Sequence, residues 1–258
     1  MRVITANVNG IRSAAKKGFF DWLQTQQADV VCIQETKAQR HQLEEHHELF
    51  FPAGYHCYYH DAQKKGYSGV ALYSRQQPEA VIIGMGHEEF DAEGRYIEAR
   101  FGNLSIASLY LPSGSAKEER QQVKYRCMDF FENVMQRFHS EQREAIICGD
   151  WNIAHKNADI RNWKSNQKSS GFLPEERAWL DKLFYEWGFV DAFRELEQAE
   201  HEYTWWSNRG RAWEKNVGWR IDYHILSKGL KGKVQKTHIY KDKRFSDHAP
   251  LIIDYALP

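Results

Sequence analysis

The chain has 258 residues, 42% of them hydrophobic and 14% aromatic, enough for one sizeable core. Its 35 basic side chains (Lys and Arg) equal its 35 acidic ones, so overall charge gives no support for a general polyanion binder; a basic groove beside an acidic site would still cancel in the total. No apolar run approaches membrane-spanning length, Met1 leads straight into a strand rather than a leader, and Cys32, Cys57, Cys127 and Cys148 show no C-x-x-C spacing, so a reduced cytoplasmic protein with no membrane partner is expected.

Arg2 to Ala6 read as a short strand that runs into Asn7-Val8-Asn9-Gly10-Ile11-Arg12. Two Asn side chains two residues apart share a face if the strand persists. Phe19, Phe20 and Leu23 mark a helix, and Asp29 to Glu35 is a buried strand with a carboxylate at its tip, a position more often solvated or capping a helix. Residues 38–50 are polar; His41, His46 and His47 match no zinc spacing and read as surface. Gly66-Tyr67-Ser68-Gly69 leads into a strand at Val70 to Ser74, and further strands are expected at 80–84, 95–101 and 104–110. Tyr110, at the last of these ends, is either a core ring or a polar group at a strand tip. Ser115 with Glu118 forms a capping box for a long helix whose apolar positions are Val123, Cys127, Phe130, Phe131, Val134 and Phe138.

Ala145 to Cys148 is too short for a helix and reads as a buried strand. Gly149 is expected to let the chain turn sharply. Asp150 and Asn152 then emerge at the strand's C-terminal end, where open α/β sheets place ligands, the plainer alternative being a helix cap or Asx-turn. Residues 153–173 are a long polar loop. Pro174 opens the next helix and Gly188 closes it. Trp205 and Trp206 alternate across an aromatic strand, so at least one belongs to the core. A basic loop carries Arg209, Arg211, Lys215, Trp219 and Arg220. Strands at Ile221 to Leu226, 233–240 and 251–255 complete the chain, the last preceded by Phe245-Ser246-Asp247-His248-Ala249-Pro250. Strand–helix alternation in each half, without a sequence repeat, suggests two similar halves forming two sheets.

Polar residues thus collect at element ends: Asn7, Asn9, Glu35, Tyr110, Asp150, Asn152, Asp222, Asp247 and His248. Carboxylates that converge in an interior repel one another unless a cation or protons join them. Oxygen-rich ligation suits Mg²⁺ or Mn²⁺. A hard metal, an Asp able to activate water, an oriented imidazole and neutral donors form a kit for phosphodiester hydrolysis.

Carried by Asn7-Val8-Asn9-Gly10-Ile11-Arg12, Gln34-Glu35-Thr36-Lys37, Gly66-Tyr67-Ser68-Gly69-Val70, Tyr110-Leu111-Pro112, Gly149-Asp150-Trp151-Asn152, Gly171-Phe172, Trp219-Arg220-Ile221-Asp222-Tyr223 and Ser246-Asp247-His248-Ala249-Pro250, the whole chain resembles the exonuclease III / class II AP-endonuclease family of the DNase-I-like endonuclease/exonuclease/phosphatase superfamily. The resemblance implies a single domain over residues 1–258, a four-layer α/β sandwich with two central mixed β-sheets flanked by helices. It implies Glu35 as principal Mg²⁺ ligand (Mn²⁺ a substitute), with Asn7, Asn9 and Asp247 around the ion. It makes Asp150 the residue that orients or deprotonates water, Asn152 the holder of the phosphate or of Asp150, Asp222 the partner of His248, and Tyr110 a phosphate-oxygen donor. On the DNA side, Asn166 and Lys168 fall where the family's loop touches the backbone. Trp205, Trp219 and Ile221 fall at a pocket for a flipped-out baseless sugar, and Arg209, Arg211, Lys215 and Arg220 are candidates for phosphate contacts. Ser113 and Ser169 depart from the Asn that some members carry there. The implied activity is Mg²⁺-dependent repair of damaged duplex DNA by a monomer, cutting 5′ to abasic sites, with 3′–5′ exonuclease and 3′-phosphodiesterase action open. Two rivals stand beside it: a phosphatase or phospholipase of the same superfamily, which would lack the aromatic basic loop, and a non-enzymatic nucleic-acid-associated regulator of the catabolite-repression-control type, which would lack catalytic side chains present here.

Overall fold

A computed structural model describes all residues, Met1–Pro258. From the N-terminus, β1 (Arg2–Asn7), β2 (Val30–Gln34), β3 (His56–His60) and β4 (Val70–Ser74) enter a first sheet. A second sheet takes β5 (Ala80–Ile83), β6 (Tyr96–Phe101), β7 (Leu104–Tyr110), β8 (Glu144–Asp150) and the short β9 (Val190–Asp191). A two-stranded ribbon follows, β10 (Trp205–Trp206) with β11 (Gly218–Trp219); β12 (Asp222–Leu226) returns to the second sheet, and β13 (Val234–Ile239) with β14 (Leu251–Tyr255) return to the first. Each sheet has six strands, in the orders β13-β14-β1-β2-β4-β3 and β5-β6-β7-β8-β12-β9, with one parallel pair at its centre, β1 with β2 and β7 with β8. The sheets therefore do not divide the sequence into halves as its alternation suggested: the first sheet is completed by the last two strands of the chain, and Arg2 pairs with Asp254.

Residue alternation along the strands builds the layers. Val3, Cys32, Leu72, Ile106, Ile146, Cys148 and Ile253 point between the sheets. Ile4, Ala6, Val31 and Ile33 point outward, under α1 (Ile11–Lys16) and α2 (Phe19–Gln26), which bury Phe19, Phe20 and Leu23 on them. On the opposite face Ala107, Leu109, Ala145 and Ile147 lie under two helices. These are a long helix (Glu118–Ser140, called α6, after the short α3 Arg40–Glu44, α4 His47–Phe50 and α5 Glu88–Ala92) and α7 (Pro174–Asp181). The result is the expected four-layer sandwich, and no helix is long and apolar enough to cross a membrane.

Three local expectations change. α6 begins at Glu118 with Lys117 before it and no side-chain cap; the Ser115 hydroxyl meets that of Ser113 instead, and Glu118 and Glu119 favour the start of the helix through its dipole. Gly149 does not turn the chain. It lies inside β8, and a Cβ there would sit 1.9 Å from the Leu109 carbonyl oxygen, so glycine is required by close strand approach. Residues 38–50 form α3 and α4, which bury Leu43 and Phe50 while His41, His46 and His47 stay exposed.

Candidate active site

The site is assembled by strand register. Tyr110 pairs with Asp150 across the parallel β7–β8 pair, and Asp222 pairs with Asp150 across the antiparallel β8–β12 pair, so three polar residues stand side by side at one end of the second sheet. Asn7 pairs with Gln34 at the facing end of the first sheet, one residue before Glu35. A buried polar chain ties the two sheets just beneath: Thr5 donates to Gln34 Oε1, and Gln34 Nε2 donates to Ser108 Oγ at 2.9 Å. The loop before β14 is pinned to β1 by the Ser246 hydroxyl, which donates to the Asn7 carbonyl at 2.6 Å, and this brings in Asp247 and His248.

Asn7 sits between the two sheets' carboxylates. Its Nδ2 donates to Glu35 Oε1 at 3.0 Å and to Asp150 Oδ2 at 2.9 Å, while its Oδ1 accepts the Asn9 N–H. The strand stops at Asn7, so the condition on which Asn7 and Asn9 would share a strand face is not met. Asn9 has φ of 44° and turns its amide to Asp247 Oδ1 at 3.0 Å, while its oxygen accepts from Lys37 Nζ. Glu35 and Asn152 are also left-handed, at φ of 53° and 52°. Three site residues thus adopt a backbone conformation that side chains with a Cβ seldom take, a form of strain that clusters at functional sites. Glu35 is held there by Thr36 and Lys37, whose N–H groups donate to the carbonyls of Gly69 and Ser68.

His248 Nδ1 bonds to Asp222 Oδ2 at 2.8 Å, and its Nε2 faces Asp150 Oδ2 at 3.7 Å. Burial alone would lower the imidazole's pKa; the Asp222 and Asp150 carboxylates outweigh it and raise it to about 10, so both ring nitrogens carry protons. Burial pushes Asp150 up to about 8, with Asp222 and Glu35 adding to it against His248. Tyr110 is raised well above its ordinary value by burial and by Glu35 and Asp150, and it stays a neutral phenol. Asp247 is held below the usual carboxylate range: His248, the Trp205 indole and Asn9 overcome its burial.

Glu35, Asp150 and His248 offer ligand atoms within 4.8 Å of one another. The site gathers four carboxyl groups (Glu35, Asp150, Asp222, Asp247) against two basic side chains, Lys37 at 3.3 Å from Glu35 and His248 at 2.8 Å from Asp222. The excess negative charge and the hard oxygen donors fit a divalent cation. Asp247 already spends one oxygen on Asn9 and the other on the Trp205 indole N–H at 3.0 Å.

The cleft above this cluster has a volume of about 720 Å³. Tyr110, Asn152, Asn166, Lys168, Trp205, Trp219 and Ile221 all line it. Trp205 and Trp219 meet edge to face at 6.0 Å beside Ile221 and Phe172, while Trp206 is the core member of its pair. Lys168 pairs with no carboxylate, whereas Asn166 is engaged within its own loop, its Nδ2 on the Asn162 carbonyl and its oxygen on Ser169. Arg209 is exposed on the turn after β10 and does not line the cleft. Arg220 is no phosphate contact: it is buried, with Nε on Asp159 at 2.8 Å and Nη2 on Asp191 at 2.6 Å.

Two residues near the chemistry escaped the sequence reading. Lys37 stands beside Glu35 and Asn9, two residues along a stretch already singled out. Arg95, buried, stacks its guanidinium 4.9 Å from the Tyr110 ring centroid and donates to the Tyr110 carbonyl and the Tyr67 hydroxyl. No local signal announces Arg95, which is simply the first residue of the strand expected at 95–101.

A family profile described as Endonuclease/Exonuclease/phosphatase family matches residues 4–248. The chain is 40% identical to an exodeoxyribonuclease of Bacillus subtilis (strain 168), over 97% of this chain and 98% of that one. It is 36% identical to the DNA repair nuclease APEX1 of Danio rerio, over 100% of this chain and 83% of that one. Among solved structures, an AP endonuclease from Archaeoglobus fulgidus matches with a TM-score of 0.89 and 28% identity over the whole of both chains. A profile match across nearly the full length, with relatives above 30% identity end to end, establishes that the chain belongs to the endonuclease/exonuclease/phosphatase family, in its exonuclease III and AP-endonuclease branch.

Proposed function

We propose that this protein is a Mg²⁺-dependent DNA-repair phosphodiesterase that acts as a monomer on damaged duplex DNA, cutting 5′ to abasic sites and trimming blocked 3′ ends. The observation that carries the reading is the line Asp222–His248–Asp150, closed against Glu35 by the Asn7 amide, at the mouth of a cleft with an aromatic wall.

Glu35 would hold the Mg²⁺ (or Mn²⁺), with Asn7, Asn9 and Asp247 around it. When bound, the ion supplies positive charge to the phosphate oxygens and to the departing 3′-oxygen. Asp150, kept ionised by His248 and by the positive charge a bound ion would add, aims a water at phosphorus and takes its proton as the new P–O bond forms and the P–O3′ bond breaks. Its Oδ1 accepts the Asn152 N–H at 2.9 Å and its Oδ2 the Asn7 amide, so its rotamer is fixed from both sides. His248, oriented by Asp222, presents a charged N–H to a non-bridging oxygen. Tyr110 donates as a neutral phenol to a phosphate oxygen and helps to position the leaving group. The Trp205, Trp219 and Ile221 wall accepts a sugar without its base, since no stacking is lost when such a sugar leaves the helix. This wall favours a nucleic-acid substrate over the phosphatase reading, and the complete set of acid, base and imidazole gives the non-enzymatic regulator no support.

Purified protein should nick a duplex carrying an abasic-site analogue in Mg²⁺ and stop when EDTA is added. Absence of nicking with Mg²⁺ and with Mn²⁺ would remove the reading.

A further inference from the structure

Beneath the cleft lies a buried ion pair that this chemistry does not use. α6 presents Gln121 and Lys124, three residues apart and so on one face, to the underside of the site. Lys124 and Glu176 of α7 are each 0% exposed, and their charged atoms are 2.6 Å apart. Lys124 Nζ also donates to the Asn152 carbonyl at 2.7 Å. The other Glu176 oxygen accepts the N–H groups of Gly171 and Leu173 at 2.7 and 3.0 Å. Gln121 donates to Glu176 at 3.0 Å and accepts from the Ser170 hydroxyl at 2.6 Å. Gly114 rests on Gln121 so closely that a Cβ would come within 1.9 Å of the amide oxygen. Of the segments that line the cleft, 150–152 and 169–173 are bonded to these two charges, and 113–115 rests on Gln121 beside them.

A well-packed apolar pair would fill that space at no loss of stability, because a buried ion pair seldom outperforms hydrophobic isosteres. What the ammonium adds is a donor for the Asn152 carbonyl. Asn152 is left-handed, with its N–H on Asp150 Oδ1 at 2.9 Å and its Nδ2 on the Leu111 carbonyl at 2.7 Å. With the Lys124 bond, its N–H, its side chain and its carbonyl are all fixed.

We propose that Lys124 is a positioning residue for the phosphodiester reaction: with Glu176 it locks the turn that aims Asp150 and ties that turn to the 169–173 wall of the substrate cleft. The proposal rests on the hydrolase reading above. Its rival is a pair that only fills space.

The test compares Lys124→Met, Glu176→Gln and the double variant in the full chain, by thermal melting, by kcat and KM on the abasic-analogue duplex, and by amide exchange. Each single variant strands a buried polar partner and should lower Tm by about 10 °C. The double variant holds no charge, and its Tm should recover most of that loss. Its kcat should nevertheless stay about 10–100-fold below wild type, the scale of a small misplacement of catalytic groups. Its KM should stay within about threefold, because the amide oxygen at 176 still accepts from the wall. Recovery of kcat together with Tm would overturn the proposal. If the double variant does not fold, Lys124→Arg decides: a retained cationic donor should keep kcat at least about tenfold above Lys124→Met per folded molecule, and equal rates would sink the idea. Wild-type protein inert on abasic duplex would refute the hydrolase reading instead. The tie is then read from the amide exchange of Asn152 and Gly171, which should be faster in the double variant, or in Lys124→Met where the double does not fold; unchanged exchange refutes it.

Discussion

Asp150 and Asp159 are both 1% exposed, nine residues apart, and held in opposite electrostatic surroundings. Burial pushes Asp150 up to about 8, and Asp222 and Glu35 add to the shift against a single imidazole. Asp159 is pushed up by burial and pulled down further by Arg220 and Arg194, so it lies below the usual carboxylate range. The Asp159 cluster balances its own charge: Arg220 bridges Asp159 and Asp191, and Arg194 bonds Asp159 at 2.6 Å. The Asp150 cluster does not. A buried region whose charges already cancel is a strut, whereas one left short of positive charge is suited to receive it from a metal ion.

The largest expected effect breaks this comparison on the Asp150 side. Asp150→Asn should slow cleavage of an abasic duplex by about 10²–10⁴-fold, the loss typical of a missing general base. It should leave Tm unchanged or higher, because a neutral amide replaces a carboxylate that burial disfavours. Gel-based rates together with calorimetry check both halves. A variant that kept its rate, or that unfolded, would put Asp150 in the wrong class.

Asp159→Asn should do the reverse. It leaves the buried Arg220 with Asp191 as its only carboxylate partner, at a cost near the lower end of the roughly 3–5 kcal/mol of a broken buried pair. The rate per folded molecule should change by no more than about threefold, since Asp159 reaches the cleft only through the backbone before β12. The sign of the pH dependence follows from the depressed pKa. The folded carboxylate binds its proton more weakly than the unfolded one, so its contribution is complete above the ordinary value of 3.8 and is lost as pH falls below it. Urea melts of wild type from pH 7 down to pH 3 should show the onset of that loss, and the same series on the variant should be flatter.

The same contrast explains what the sequence could disclose. Asn7, Glu35, Tyr110, Asp150 and Asp222 were legible because each stands at the end of a short apolar run, and a strand that ends in a polar residue states where that side chain emerges. The flanking helix positions Cys127, Phe131, Val134 and Phe138 were legible through their spacing. Charge balance was not legible, because partners such as Arg220 with Asp191, or Lys124 with Glu176, are far apart in sequence. Arg220, next to Trp219, looked like a phosphate contact, and only the fold shows it buried among carboxylates. β3, His56–His60, was missed because His-Cys-Tyr-Tyr-His has no clear apolar alternation. The return of β13 and β14 to the first sheet depends on pairing with Arg2–Thr5 across almost the whole chain, which no local window contains.

The smallest expected effect sharpens the comparison among exposed cations, where neither a strut nor a reaction is at stake. Lys168 lines the cleft and has no carboxylate partner, while Arg209, another basic residue expected to touch DNA, stands outside the cleft wall. A cation that meets a phosphate releases about one counterion on binding, so its removal should lower the slope of log affinity against log salt by about one. Lys168→Ala should therefore weaken binding of a catalytically silent Asp150→Asn background to duplex DNA and flatten its salt dependence by that amount. Arg209→Ala should leave the slope unchanged. Fluorescence anisotropy at four or five salt concentrations separates the two. Equal slopes for the two variants would mean that DNA follows the turn after β10 as closely as it follows the cleft, and the wall that receives the backbone would have to be redrawn to include that turn.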